Sequence, residues 1–457
     1  MEEYDVLVVG AGSGMIIASN AVTSGLKTAI AEHGPMGGTC LNRGCIPSKM
    51  LLHPADIITM VREAEELGIN ATVNFIDFKK IMSRMRHTVT EDSQLQGRAV
   101  ENAPKIKWYK DTGEFVSDYT LQVGDRTIKA EKIFIVSGAR PNVPPIKGIE
   151  KVGYLTSDTL LQLEEPPKNL VIVGGGYIAA EYGHFFAAMG TKVTILQRNP
   201  QLVPEEEPEI SDLLKEEMEK RMDVFTDHEV IEVKEENGTK IVTAKNRSNG
   251  KLKEFSAQSL LLAAGRTPNA DLLKPEKTGV ELNEKGFVKV DEYLETSKKN
   301  IWAFGDAIGK QMFKHVANYE ADIAWHNSVH EHKVAADYAV APHAVFSHPQ
   351  IASVGFTEKQ AKEQGYKILV GKEYYKNTAK GIAMGSPRGF VKVVIEQETG
   401  KILGSHIIGP FAPILIQEII NVMNFENNTF TNIIRPMHIH PAMPEVVQRA
   451  FGSLRKA

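Results

Sequence analysis

The chain contains two cysteines in 457 residues, and both fall in one run, Gly37-Gly38-Thr39-Cys40-Leu41-Asn42-Arg43-Gly44-Cys45-Ile46-Pro47-Ser48-Lys49. A pair this close suits a disulfide that cycles through its dithiol better than it suits a secreted framework. Such a cycle needs one thiol open to substrate and a second that meets the electron donor. Ile46-Pro47 reads as a helix start, and a helix N-terminus stabilises a thiolate at Cys45. Cys40, in the glycine-rich approach, is expected to be the more accessible sulfur. Two unrelated buried thiols are the bland alternative.

A second constellation lies near the C-terminus, His438-Ile439-His440-Pro441-Ala442-Met443-Pro444-Glu445. A leaving thiol must be protonated and an attacking thiol deprotonated, which suits an imidazole whose tautomer a carboxylate fixes. Both histidines compete for that role, and an ordinary surface His-Pro turn would look similar.

Two βαβ beginnings would position this chemistry. The first runs from a strand at Tyr4–Val9 through Gly10-Ala11-Gly12-Ser13-Gly14 and a helix to about Ser24, then a strand from Lys27 to Ala31. The second runs from Asn169–Val173 through Gly174-Gly175-Gly176-Tyr177-Ile178-Ala179 and a helix to about Met189, then Lys192–Leu196. In each, glycines let the backbone approach a pyrophosphate at a helix N-terminus, so two dinucleotides are expected. Glu32 closes the first unit, where a carboxylate accepts from ribose hydroxyls, as for the adenosine of FAD. Met15 stands at the third glycine position, a departure expected to loosen helix-to-strand packing.

Ile133 to Pro141, with further prolines at 144 and 145, reads as a buried strand leaving a domain through a stiff linker. Leu260 to Pro268 repeats the pattern, so the two bracket an inserted domain. The apolar strand Asn300–Phe304 runs into Gly305-Asp306 and resumes the first domain, where Asp306 is placed to bond a polyol or to cap a helix. From about Ala341 strands and turns take over, followed by an apolar helix near Ile414–Met423. The expected class is α/β: two Rossmann-like dinucleotide-binding domains and a separate C-terminal α+β domain. The boundaries are 1–145 and 269–338 for an FAD domain, 146–268 for a NAD(P) domain and 339–457 for the last.

These segments together resemble the pyridine nucleotide-disulfide oxidoreductase family, which includes dihydrolipoamide dehydrogenase, glutathione reductase and mycothione reductase. The likeness covers essentially the whole chain and rests on Gly10 to Gly14, Gly38 to Lys49, Gly174 to Glu181, Ala303 to Asp306 and His438 to Glu445. It implies that Cys45 faces the flavin and Cys40 exchanges with substrate. It selects His440, by its spacing to Glu445, as the acid-base group, with His438 as a structural neighbour. It implies a homodimer in which His440 and Glu445 serve the other subunit's cysteines. Lys49 and Glu181 would stand beside the flavin, the lysine stabilising charge that builds there. FAD contacts are implied at Gly10, Gly12, Gly14, Glu32, Gly38, Thr39 and Lys49, and at Ser137, Gly138 and Asp306. Nicotinamide-cofactor contacts are implied at Gly174, Gly176, Tyr177, Ile178, Glu181, Gln197, Arg198 and Gly265. No metal is expected.

An NAD site would put an acid at Gln197, whereas Arg198 suits a 2'-phosphate, so the cofactor is NADP or NAD with a lean to NADP. Glutathione reductases carry a second arginine further on, where this chain has Leu202-Val203-Pro204. Tyr177 resembles the residue covering the nicotinamide pocket in glutathione reductase. The additional C-terminal cysteine pair of mercuric reductases and the further thiol or selenol relay of large thioredoxin reductases are missing. A small disulfide therefore remains as substrate. The overall resemblance implies first a dihydrolipoamide dehydrogenase-like activity, for which a lipoyl-bearing protein is a candidate partner; the alternative, towards which the details at Met15, Tyr177 and Gln197 pull, is an NADPH-dependent mycothione or glutathione reductase.

Composition narrows the classes further. Hydrophobic residues at 42% and charged residues at 24% are those of a globular protein, and a formal charge of −4 offers nothing to nucleic acid or an anionic membrane. No apolar run reaches the roughly 20 residues of a bilayer span. The N-terminus lacks a basic region and an apolar core of a signal, so a cytoplasmic location is expected. A transhydrogenase would leave the cysteine pair without purpose. A flavin-binding redox sensor or structural lipoyl-complex subunit would leave His440 and Glu445 without one.

Overall fold

Apolar strands alternating with helices close into a parallel sheet when crossover helices cover its faces. In the computed structural model, which describes residues 1–456, this happens twice. The first sheet runs Ile106–Tyr109, Thr28–Ala31, Glu2–Val9, Arg126–Ile135, with Ile301–Ala303 parallel to the end of Arg126–Ile135. Thr120–Val123 and Gly113–Ser117 extend it antiparallel. The second is Asp223–Phe225, Lys192–Leu196, Asn169–Val173 and Ser259–Leu262, all parallel. An antiparallel sheet of His228–Glu236, Thr239–Asn246 and Leu252–Ala257 belongs to the same stretch.

The two proline-bearing linkers meet. Ala139–Pro141 pairs antiparallel with Arg266–Pro268, so the chain leaves the first sheet and returns to it through one two-stranded doorway. Proline is tolerated there because neither strand is the interior of a sheet.

The helices that matter to the site are α1 (Gly14–Thr23), α2 (Gly38–Arg43), α3 (Cys45–Glu63), α4 (Phe78–Asn102), α5 (Tyr177–Ala188), α6 (Pro208–Glu219) and α7 (Lys314–Val329). Leu51, Leu52, Ala55 and Ile58 make one apolar stripe along α3, which is buried in a cluster with Phe185 of α5 and Met82 and Met85 of α4. α3 is thereby locked between the two dinucleotide units. A six-stranded antiparallel sheet, His343–Val345, Ile351–Gly355, Ile402–Ile408, Phe390–Glu396, Ile368–Tyr374 and Arg455–Lys456, forms the C-terminal part. The apolar helix expected over Ile414–Met423 begins at Ala412. It buries Leu415, Ile416 and Ile419 in its own domain and leaves Ile414 at the surface. Among the described residues no helix is long and apolar enough to cross a membrane.

The glycine turns are set by close backbone approach. Gly10 has φ +110, and a Cβ there would stand 2.3 Å from the Val136 carbonyl oxygen; Gly174, at φ +117, would stand 2.2 Å from that of Ala263. The loosening expected at Met15 does not occur. Helix α1 meets the strand at Gly14, where a Cβ would lie 2.7 Å from Cγ1 of Val8, and Met15 packs half-buried against the same core. Gly10→Ala is expected to destabilise the protein by about 1–3 kcal/mol from backbone strain alone. Denaturant unfolding measures it, and an unchanged midpoint would mean that the turn relaxes.

Candidate active site

Helices α2 and α3 meet at Gly44, which puts Cys40 inside a short packed helix and Cys45 at the first position of a long one. The two thiols hydrogen-bond to each other. The Cys40 thiol donates to Cys45 and lowers it to about 7, with the Lys49 ammonium adding to the effect and burial opposing it. Cys40 is pushed up, first by that shared proton and then by burial. One negative charge is therefore held by the pair, and it rests on Cys45. The expected order of exposure is reversed: Cys45 is exposed and Cys40 half-buried. Cys40 is enclosed because α2 packs against both α3 and α4, whereas Cys45 opens at a helix end.

One turn further along α3, Lys49 Nζ donates to both carboxylate oxygens of Glu181 on α5, at 2.9 and 2.9 Å. Glu181 is 5% exposed, so the pair is a tie between the two dinucleotide units rather than a solvated contact. The C-terminal domain completes it. The Phe346 amide donates to Glu181 Oε1 at 3.0 Å, and the Phe346 ring lies 4.4 Å from the Lys49 ammonium. Phe346 carries no motif and was not identifiable from sequence.

The first glycine turn fits FAD. A Cβ on Gly38 would lie 2.6 Å from Gly12 Cα, so Gly12 and the start of α2, with Thr39 next, form a cradle of bare backbone. The Glu32 carboxylate accepts from the amides of Ala11 (2.9 Å) and Gly34 (2.7 Å), which leaves lone pairs for ribose hydroxyls. Ser137 Oγ is buried without a partner among the described residues, an orphan that a bound group would satisfy. Beside it Gly138 has φ +67. Asp306, in the turn Gly305–Ala307, has its pKa raised by burial, and Arg266 Nε stands 3.4 Å from its Oδ2. Sequence reasoning missed Arg266, which reaches Asp306 from the linker doorway.

At the second turn Gly174 and Gly176 precede α5, and Tyr177 and Ile178 open it, both half-buried. Burial raises the Tyr177 hydroxyl, and the charges bearing on it are Arg266, Asp306, Glu181 and Cys45. Tyr177 thus stands where the dinucleotide units and the cysteines converge, against Phe313 at 6.1 Å. Gly265, at φ +98, sits exposed just before the doorway strand. Gln197 closes the second strand of this unit with its side chain against Gly175 of the glycine turn. It is 5% exposed, and its Nε2 donates to the Gln201 carbonyl at 3.2 Å. Arg198 is exposed, and a second arginine comes from a distant hairpin: Arg247 Nη1 donates to the Arg198 carbonyl at 3.0 Å. Neither guanidinium makes an ion pair among the described residues.

His440 Nδ1 is 2.9 Å from Glu445 Oε1, and the Ala442 amide holds the other carboxylate oxygen at 3.1 Å. The imidazole holds Glu445 below the usual carboxylate range. The His440 side chain is 67% exposed, so its Nε2 points away from its own subunit's partners. Among the described residues no hydrogen bond joins it to either cysteine of the same chain. His438 pairs instead with Glu418, at 3.4 Å, on the helix Ala412–Met423.

Asp56, His184 and His348 bring ligand-type atoms within 4.8 Å of one another. Arg221 can only donate, and its Nη1 lies 2.8 Å from His184 Nδ1, so the neutral ring carries its proton on Nε2 and gives it to Asp56 at 2.9 Å. Both ring nitrogens are thus committed to protein partners.

Residues 4–321 match the pyridine nucleotide-disulphide oxidoreductase family, and residues 341–451 match the dimerisation domain of that family. The mycothione reductase of Mycobacterium tuberculosis is 36% identical across 100% of both chains. The dihydrolipoyl dehydrogenase of Geobacillus stearothermophilus is 35% identical over 98% of this chain and 95% of its own. The HOCl-induced flavoprotein disulfide reductase RclA from Escherichia coli, solved as a Cu(II) complex, superposes with a TM-score of 0.88 at 29% identity over 99% of each chain. The chain belongs to the pyridine nucleotide-disulfide oxidoreductase family. It is an FAD-dependent enzyme that exchanges electrons between a pyridine nucleotide and a disulfide, and it carries the domain through which such chains form homodimers.

In the reduced protein the ultraviolet absorbance of the thiolate is expected to titrate with a midpoint near 7, against about 8.5 for an ordinary thiol. Below that midpoint Cys45 protonates and disulfide exchange slows. Cys45→Ser should abolish the transition, and a midpoint at the ordinary value would contradict the assignment.

Proposed function

We propose that the protein is an NADPH-dependent reductase of a small disulfide, working through the Cys40–Cys45 pair as a homodimer. The carrying observation is the placement of Cys45 at the first position of α3, five residues from Cys40 and one turn before Lys49, which Glu181 clasps. Bound FAD supplies a two-electron path between the nicotinamide and the disulfide. Gly10, Gly12, Gly14, Glu32, Gly38, Ser137 and Asp306 bind and orient it. The reading divides the chain into an FAD domain at 1–145 and 269–338, a NAD(P) domain at 146–268 and a dimerisation domain at 339–457.

Because the pair's charge rests on Cys45, Cys40 needs a base before it can attack. His440 of the partner subunit takes the Cys40 proton, and the Cys40 sulfur displaces one thiolate from the substrate disulfide. His440 of the partner subunit returns the proton to that leaving thiolate. Cys45 then attacks the Cys40 sulfur, expels the second thiolate and closes the Cys40–Cys45 disulfide, which two electrons from NADPH reopen. Glu445 holds the His440 tautomer that leaves Nε2 free for this work.

NADPH is favoured over NADH because Gln197 offers no carboxylate to a ribose hydroxyl, while Arg198 and Arg247 present two unpaired guanidiniums at the same strand end. In the cytoplasm, the compartment this reading assigns, a reducing pool keeps the product thiols reduced. A second reading, dihydrolipoyl dehydrogenase acting on a lipoyl-bearing protein with NAD, runs the same steps backwards. The full-length similarity to dihydrolipoyl dehydrogenases favours it.

Steady-state assays of NADPH and NADH, each against lipoamide and several low-molecular-weight thiol disulfides, separate the two. NADPH is expected to be preferred, and a strong preference for NADH with lipoamide would overturn the cofactor and substrate assignment. Arg198→Leu should raise the KM for NADPH about tenfold or more, the worth of one charge-assisted contact, and leave that for NADH unchanged. His440→Gln should slow disulfide turnover by about 10²–10⁴, with reduction of the enzyme by NADPH intact. Negligible turnover over the whole panel would support a sensor instead.

A further inference from the structure

The second glycine turn is held by a loop of its own unit. The Val203 amide donates to the Gly175 carbonyl at 2.7 Å, and to do so Val203 takes φ +40, a conformation that a β-branched residue rarely adopts. Such strain persists only where the surroundings over-determine it. Here Val203 is buried, its carbonyl accepts from the Glu206 amide at 2.9 Å, and Glu206 is fixed in turn by the C-terminal domain. The Glu206 carboxylate is buried and needs partners. Its Oε1 lies 2.7 Å from His343 Nε2, and its Oε2 accepts from Ser353 Oγ at 2.6 Å. His343 and Ser353 are directly opposite on neighbouring antiparallel strands, so one sheet edge supplies both partners.

His343 carries the contact back to the turn. Its imidazole stacks with the Phe313 ring, centroids 5.7 Å apart and planes at 11°. His315 stacks with the same ring at 5.7 Å and 12°, and its own Nε2 is tied to the Pro342 carbonyl at 2.7 Å. Phe313, immediately before α7, then meets Tyr177, the first residue of α5, at 6.1 Å. The contacts close a circuit through Gly175, Val203, Glu206, His343, Phe313 and Tyr177, which stands two residues after Gly175. Glycine leaves the turn free to move and does not decide where the first aromatic ring after it rests. The circuit decides both. We infer that Phe313 and His343 are positioning residues for the pyridine nucleotide: their stack, anchored on Glu206, holds Tyr177 and the glycine turn in the arrangement that receives it. The inference rests on the reading of the second glycine turn as the NAD(P) site.

The test uses the FAD-loaded full-length dimer and measures, by calorimetry, the Kd of NADP+ and of NAD+ for the oxidised protein, together with its FAD content. Phe313→Leu keeps an apolar side chain and removes the stack. His343→Gln keeps a donor for Glu206 and removes the ring, so that the buried carboxylate is not stranded. Each should raise the Kd of the preferred nucleotide about tenfold or more with FAD retained, and Phe313→Tyr, which keeps the ring, should restore it. Reduction of the variants by NADPH in stopped flow should need correspondingly higher concentrations, whereas dithionite-reduced protein should pass electrons to a small disulfide at its original rate. An unchanged Kd in both variants overturns the role. An equal loss in both half-reactions also overturns it, because that marks a general loosening of the fold. If the unsubstituted protein binds neither nucleotide, the reading of the second glycine turn fails and the inference falls with it, a result distinct from the other two.

Discussion

The start of helix α3 is the constraint on which the rest of the site depends. A thiolate is stable at Cys45 because the helix begins there, because Cys40 donates its proton inward and because Lys49 stands one turn on. Remove any of these and the sulfur becomes an ordinary thiol, protonated at neutral pH and slow in exchange. The helix cannot shift to relieve the charge. Its apolar stripe is locked against α4 and α5, and Lys49 is clasped by Glu181 across the boundary between the two dinucleotide units. Electrostatics and packing are thus one device: the contact that fixes the helix also fixes the charge beside the sulfur.

The surrounding architecture converges three parts of the chain on that point. The two glycine turns make the same backbone contact, a bare Cα against a carbonyl of the neighbouring strand's end, and so present two helix N-termini to two dinucleotides. The paired linkers bring Arg266 from the return connection to Asp306 of the first sheet. The C-terminal domain adds Phe346 against Lys49 and Glu181. Its His440 imidazole is exposed and is held from beneath by the buried Glu445.

The chemistry was legible in sequence where it is local. Cys40 and Cys45, the glycine turns, and His440 with Glu445 each lie within a few residues, so spacing alone reports their geometry. The groups that were not legible arrive from far along the chain. Arg266 reaches Asp306, Arg247 reaches Arg198 and Phe346 reaches Glu181 only through tertiary folding, and none stands in a motif. Two local expectations also failed, for packing reasons. Cys40 is enclosed because its approach is helical rather than an open loop, and Met15 loosens nothing because the tight contact falls one residue earlier, at Gly14.

The most direct measurement compares the absorption spectra of the oxidised, FAD-loaded Cys40→Ser and Cys45→Ser proteins. A lone thiolate at position 45 against the isoalloxazine ring predicts a long-wavelength band in the first protein and none in the second. A band in the Cys45→Ser protein alone, or in neither, would mean that the flavin and the sulfur at the head of α3 are not in contact.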